Sequence, residues 1–216
     1  LVHDPRVRTI ETGNMTIAAK RNRGVENAVD AHYYAFIDSD AYPHNGWLKN
    51  AMEAFRKSKD VYVVGGPVFC PPGEEFKRRV ISNAVKSKLV KGIRARDYRE
   101  NKIRDRLCKY LPTCNLIVKR EAIEQIGKFD QDYISGEDRE FCGRLLRKNM
   151  KILFSKDVIA YHHSRKFLLP FMKQKITHGY SVLKIIGSKA DFLNVCFLLP
   201  ALWLIFIIFM AILSLL

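Results

Sequence analysis

Apolar and polar positions follow one another along this chain in an order that predicts alternating helices and strands. Residues 33–37 are an apolar, β-prone run that ends abruptly in Asp38-Ser39-Asp40, the pattern of a buried strand opening onto a polar site. Before it, residues 22–31 place Val25, Ala28 and Val29 at i, i+3, i+4, a helix face of small residues that can lie close on a sheet. A helix feeding directly into a strand is half of an α/β unit, and ligands of such sheets gather at the carboxyl ends of the strands.

Further along, Leu48, Ala51, Met52 and Phe55 predict an amphipathic helix over residues 47–55, after a turn at residues 42–46. Residues 61–68 read as a second buried strand, and its Gly65-Gly66-Pro67 as a strand end needing backbone freedom rather than a phosphate loop. A short strand at residues 113–118 precedes a helix over residues 120–126 that Gly127 stops. Phe141, Cys142, Leu145 and Leu146 define another helix, with Ser135 as its expected cap. Two short strands follow at residues 151–154 and 158–161, the second ending at His162-His163. At the start, residues 4–10 read as a loop and short strand with Val7 and Ile10 buried. Residues 76–109 are basic and only loosely periodic, and are expected to be partly mobile and to cover the site as a lid.

Residues 192–216 carry no charge. A bilayer needs about 20 apolar residues, so the run is expected to be a transmembrane helix, in which Pro200 and Asn194 are tolerated. An amphipathic stretch at residues 166–191, with Phe167, Leu168, Phe171, Ile176, Lys173 and Lys175, is expected to lie on the membrane before it. All of the formal net charge of +15 therefore precedes Phe192. With Lys175, Lys184 and Lys189 beside the span, the positive-inside tendency places the preceding domain, residues 1–165, on the cytoplasmic face.

The basic charge suits an anionic membrane surface or phosphorylated substrates. No zinc spacing, aromatic base-stacking set or other nucleic-acid motif accompanies it, so a nucleic-acid partner is not expected. The five cysteines include no Cys-x-x-Cys pair, which argues for a reducing compartment and against a disulfide framework.

Two places carry candidate chemistry. In an extended chain Asp38 and Asp40 point to one side and Ser39 to the other, so the pair can converge on a hard cation such as Mg²⁺ or Mn²⁺; alone, the same residues read as a solvated strand end and turn. Glu137, Asp138 and Glu140 occupy the first turn of the helix after Gly136. Carboxylates there are stabilised by the macrodipole, which would also keep one ionised and aimed at a cleft as a general base requires. A histidine at a strand end, His162 or His163, could complete a metal site with the aspartates.

Taken in order, Ala19-Lys20-Arg21-Asn22-Arg23-Gly24-Val25, Ala35-Phe36-Ile37-Asp38-Ser39-Asp40-Ala41 with Pro43, and Trp47-Leu48 resemble glycosyltransferase family 2, inverting enzymes with the GT-A fold. Asn115-Leu116-Ile117-Val118-Lys119-Arg120, Gly127-Lys128-Phe129-Asp130, Gly136-Glu137-Asp138 with Phe141, Cys142 and Arg144, and Tyr161-His162 continue the match. The resemblance implies a Rossmann-like mixed sheet flanked by helices. It implies that Asp38 and Asp40, with Arg21, hold a nucleotide-sugar donor through a divalent metal. Asp40 and His162 are then the metal ligands, with His163 the fallback. Asp138 is the implied base, and Glu137 and Asn115 contact the glycan or lipid-linked acceptor. The membrane-proximal helix and span resemble the tail of members that build polysaccharides or lipid-linked glycans.

The chain departs from the family at its beginning, where the strands that bind the nucleobase are missing. It is expected to be an N-terminally truncated piece that by itself binds donor poorly and is inactive. No Gln-x-x-Arg-Trp follows the histidines, so cellulose-synthase-like processivity is not expected. The competing expectation is a catalytically inactive, membrane-anchored binding module on the same fold.

Overall fold

The computed structural model describes residues 4–86 and 103–163. The membrane-proximal helix and the transmembrane helix expected from the sequence lie outside the described residues. Among the described residues no helix is long and apolar enough to cross a membrane.

In chain order the elements are α1 (Ile17–Asn27), β1 (Tyr33–Phe36), β2 (Ala41–Pro43), α2 (Trp47–Lys57), β3 (Val61–Gly65), β4 (Val68–Phe69) and α3 (Phe76–Lys86). There follow β5 (Arg106–Cys108), a 3-10 turn (Thr113–Asn115), β6 (Leu116–Lys119), α4 (Arg120–Ile126), α5 (Glu137–Arg147), β7 (Lys151–Phe154) and β8 (Ala160–His162). Five strands make a mixed sheet in the order β1-β6-β3-β7-β5, in which β3 and β7 are parallel and the other neighbours antiparallel. A second sheet, β2-β8-β4, has three strands.

Side-chain alternation divides the large sheet between two cores. Val63, Leu116, Val118 and Ile152 face the cluster built with Ala18 and Val25 of α1, Ala122 and Ile123 of α4, and Phe141 and Leu145 of α5. Val61, Val64 and Ile117 face Trp47, Ala51, Ala54 and Phe55 of α2. Burying each such aliphatic side chain contributes roughly 1.5–3 kcal/mol, more than the ~1 kcal/mol span of strand propensity. Burial on both faces, not propensity, therefore fixes β6, whose Leu116, Ile117 and Val118 are all fully buried.

The two sheets meet at a hub on Asn115, which is wholly buried. Its Oδ1 accepts from Trp47 Nε1 at 2.8 Å, and its Nδ2 donates to the carbonyls of Val158 at 2.8 Å and Pro67 at 3.2 Å. The Asn115 amide, expected to contact acceptor, has both donors and an acceptor engaged inside the core. A Cβ on Gly65 would overlap the Asn115 carbonyl oxygen, and one on Gly66 would overlap those of Ser155 and Val158. The Gly-Gly pair thus serves close backbone approach.

Several local expectations change because partners distant in sequence intervene. Residues 4–10 form no strand, and Val7 is 61% exposed. Thr16 Oγ1 accepts from Ala19 N and starts α1 earlier than the apolar spacing suggests, so Val29 lies beyond the helix and exposed. The expected turn at residues 42–46 begins as strand β2, because β8 is there to pair with it; Pro43 is accommodated at the sheet edge. Leu48 is exposed on α2. Part of the expected lid is β5, paired with β7. Asn115 closes a 3-10 turn onto the Pro112 carbonyl instead of extending β6.

Gly66→Ala and Asn115→Ala should each lower unfolding free energy by about 3 kcal/mol, the first by forced overlap and the second by stranding the Trp47 N–H and two carbonyls. Urea unfolding checks this as a lowered midpoint at an unchanged slope.

Candidate active site

The aspartate pair sits where β1 leaves the large sheet and β2 enters the small one. The Ala41 N–H donates to the Asp38 carbonyl at 3.0 Å, so residues 38–41 are a tight turn rather than an extended end. The carboxylates converge by that turn, not by strand alternation. Strand pairing then supplies the third group: Ala41 lies opposite His162 in the β2–β8 register, and His162 Nε2 is 3.2 Å from Asp40 Oδ1. One ligand atom from each of Asp38, Asp40 and His162 falls within 4.8 Å of the others. Two carboxylate oxygens and an imidazole nitrogen at this spacing fit a divalent ion such as Mn²⁺ or Mg²⁺.

Its neighbour His163 points elsewhere. His163 Nδ1 lies 2.6 Å from Oε2 of the half-buried Glu74, while the His163 backbone N–H donates to the Asp40 carbonyl at 2.9 Å. The two contacts tie the residues before α3 to the aspartate turn.

Arg21, on α1, links this turn to α5. Its Nη2 donates to Asp38 Oδ1 at 3.0 Å and its Nη1 to Glu137 Oε1, and the guanidinium lies 5.7 Å from the Phe129 ring centroid. Arg21, expected among the donor-binding residues, has two of its N–H groups engaged with protein carboxylates. Its own position is set by the next residue. Asn22 donates to the Phe129 carbonyl at 2.8 Å and accepts the Phe129 N–H at 2.9 Å, clamping α1 to the loop before α5.

On the far side, α5 begins at Gly136, whose φ of 83° is left-handed; it takes the cap position expected for Ser135. Glu137 and Asp138 follow in the first turn. Asp138 Oδ1 accepts the Arg139 N–H at 2.8 Å, and Oδ2 accepts the Tyr110 hydroxyl at 2.6 Å. Burial raises the pKa of Asp138, against the opposing pull of Tyr110, Arg139 and Arg21. Burial, and then the charge of Asp138, likewise raises Glu137. The Cys114 thiol is pushed up to about 12 by burial and by Asp38, Asp138 and Asp40, so it stays protonated beneath the carboxylates.

Arg21 thus joins the Asp38–Asp40–His162 cluster to Glu137 and its neighbour Asp138, while Asn115 lies in the core. Tyr110, Glu74 and Cys114 were not singled out in the sequence. Tyr110 lies in an ordinary Lys-Tyr-Leu-Pro stretch, and nothing local marks a partner 28 residues away.

The family model for glycosyl transferase family 2 matches residues 2–127. The pre-mycofactocin glycosyltransferase of Mycobacterium tuberculosis is 28% identical over 174 residues, 81% of this chain and 36% of that protein. A relative from Methanococcus voltae, named dolichyl N-acetyl-alpha-D-glucosaminyl phosphate 3-beta-D-2,3-diacetamido-2,3-dideoxy-beta-D-glucuronosyltransferase, is 22% identical over 182 residues, 83% of this chain and 54% of that protein. The chain therefore spans between about a third and about half of the length of these curated relatives. Among solved structures, the mannosyltransferase PcManGT from Pyrobaculum calidifontis, in complex with GDP-Man and Mn²⁺, aligns with a TM-score of 0.53 at 17% identity. That alignment covers 82% of this chain and 44% of the mannosyltransferase. The mixed α/β sheet with flanking helices is thus the GT-A arrangement that the sequence resemblance implies.

The raised pKa of Asp138 has a cost in stability. Its contribution is fully present below the ordinary value of 3.8 and is lost as pH rises through the higher folded value. Asp138→Asn should therefore raise the thermal midpoint at pH 7, with the gain shrinking towards pH 4; unfolding scans across that range check it.

Proposed function

Because the chain belongs to glycosyl transferase family 2, we propose that it forms part of a metal-dependent, inverting glycosyltransferase. It would move a sugar from a nucleotide-sugar donor to a hydroxyl of a glycan or lipid-linked acceptor. One observation carries this reading. The Asp38–Asp40–His162 cluster is joined through Arg21 to Glu137, the neighbour of Asp138. The GDP-Man and Mn²⁺ bound by the mannosyltransferase of like fold support the donor and metal, and the name of the Methanococcus relative supports a lipid-linked acceptor.

Asp40 and His162, with Asp38 beside them, are the residues to hold the ion, which when bound supplies Lewis-acid stabilisation of charge on the departing diphosphate. Asp38 keeps a free oxygen for this because Arg21 engages only Oδ1. On the other side of Arg21, Asp138 accepts the proton of the acceptor hydroxyl as its oxygen bonds to the anomeric carbon and the sugar–diphosphate bond breaks on the opposite face. One base suffices for such a displacement, and a raised pKa makes Asp138 a stronger base than a solvated carboxylate. Arg21 holds Glu137 and Asp38 in fixed relation, which preserves the alignment of acceptor and donor sides. Residues 166–216 would anchor this domain to a membrane, on its cytoplasmic face, beside a lipid-linked acceptor.

A panel of sugar nucleotides offered to the full-length protein with Mn²⁺ should identify a donor that is transferred, with activity lost in chelator. Asp138→Asn should reduce transfer by about 10³-fold or more while leaving donor binding within about twofold. Transfer by Asp138→Asn at the wild-type rate would remove the base assignment. In a separate measurement, Asp40→Ala should weaken Mn²⁺ binding at least about tenfold by electron paramagnetic resonance.

A further inference from the structure

Among the groups around the site, one half-buried contact has no part in holding donor, metal or acceptor: the hydrogen bond from Tyr110 to Asp138 Oδ2 at 2.6 Å. Tyr110 stands between β5 and the 3-10 turn, next to Leu111, which is buried in the core and fixes the backbone there. Arg139 lies 4.9 Å from the Tyr110 ring centroid and packs over the ring. The hydroxyl therefore reaches Asp138 from a different part of the chain than α5.

We infer that Tyr110 is a positioning residue for the base, fixing the direction of the Asp138 carboxylate and setting its basicity. This rests on the reading of Asp138 as base. One oxygen of Asp138 is held by its own helix through the Arg139 N–H, and the other by Tyr110. With both oxygens held, the plane of the carboxylate is set, and each oxygen keeps capacity for the acceptor hydroxyl. With Tyr110 removed, only the helix end would hold it, and the terminal torsion of an aspartate is soft.

Charge acts on the carboxylate in the same direction. Facing Asp138 are Arg139, Glu137 and Cys142 from α5, Arg21 from α1, Cys114 from the 3-10 turn, and Tyr110. Burial favours the protonated acid, while Tyr110, Arg139 and Arg21 favour the carboxylate. Burial, and then the charge of Asp138, raises the Tyr110 phenol well above its ordinary value, so it stays a donor while Asp138 titrates. The phenol is thus a fixed donor that opposes desolvation and favours the ionised form of the base.

The test needs no knowledge of the sugar. In full-length protein labelled with carboxyl-¹³C aspartate, the Asp138 resonance is the one lost in Asp138→Asn, and its titration midpoint is read directly. Tyr110→Phe, which keeps the ring, should move that midpoint to higher pH. Replacing Tyr110 with 3-fluorotyrosine, a stronger donor of almost the same shape, should move it to lower pH. An unmoved midpoint in both variants overturns the inference and leaves the glycosyltransferase reading intact.

With a donor from the panel, Tyr110→Phe should lower kcat/KM about tenfold on the acid limb, shift that limb to higher pH, and leave donor KM within about twofold. A uniform fall at every pH together with a raised donor KM would make Tyr110 merely structural. Wild-type transfer by Asp138→Asn, by contrast, defeats the base assignment whatever the ¹³C titration shows.

Discussion

The site depends on one ion-pair network. Arg21 is 13% exposed and holds Asp38 from the turn after β1 and Glu137 from the start of α5. A guanidinium so far out of water is costly unless it is paired, and a carboxylate as buried as Glu137 is costly without a cation. Each charge therefore requires the others. The network has a geometric consequence: the turn that carries Asp38 and Asp40 and the helix end that carries Asp138 come from distant parts of the chain, and Arg21 sets the distance between them. The Asn22 clamp on Phe129 and the packing of Phe129 on Phe141, with ring centroids 4.5 Å apart, hold that arginine in place.

A second constraint is mechanical. The small sheet delivers His162 to the aspartates, and it stays against the large sheet because Asn115 binds Trp47 of α2, the Pro67 carbonyl before β4 and the Val158 carbonyl before β8. Glycine at positions 65 and 66 lets these backbones approach closely enough for the amide to reach them. Arg144 serves the other wall. It donates to the carbonyls of Ile126, Gly127 and Lys128 at the end of α4 while pairing with Glu140, and so fixes the approach to α5. A site made of residues from distant parts of the chain needs such supports, since misplacement by an ångström can cost orders of magnitude in rate.

These supports surround groups that oppose folding. Asp138 and Glu137 are raised by burial, and Cys114 lies beneath them as a neutral thiol rather than another charge. The fold tolerates the two partly desolvated carboxylates because two well-packed cores on either face of the sheet supply the stability. In that setting a small change in hydrogen bonding at Asp138 changes its basicity more than the same change would in water.

The sequence by itself determined the elements whose signal is local. The apolar spacing in α2, α4 and α5, the runs in β1, β3 and β7, and the stop at Gly127 are fixed by neighbours within a turn or two, and the order of Asp38, Asp40, Asp138 and His162 pointed to the family. Only tertiary structure decided the rest. Strands β2 and β5 have three residues each and form because β8 and β7, distant in sequence, offer them hydrogen-bonding edges. The aspartates converge through a turn rather than an extended strand, Asn115 is a hub of the core, and Arg21 bridges Asp38 and Glu137. The hydroxyl of Tyr110 meets Asp138 for the same reason. Periodicity records how a residue faces its neighbours in sequence, whereas pairing, hydrogen bonding and charge compensation depend on which distant segment the packed sheet brings opposite.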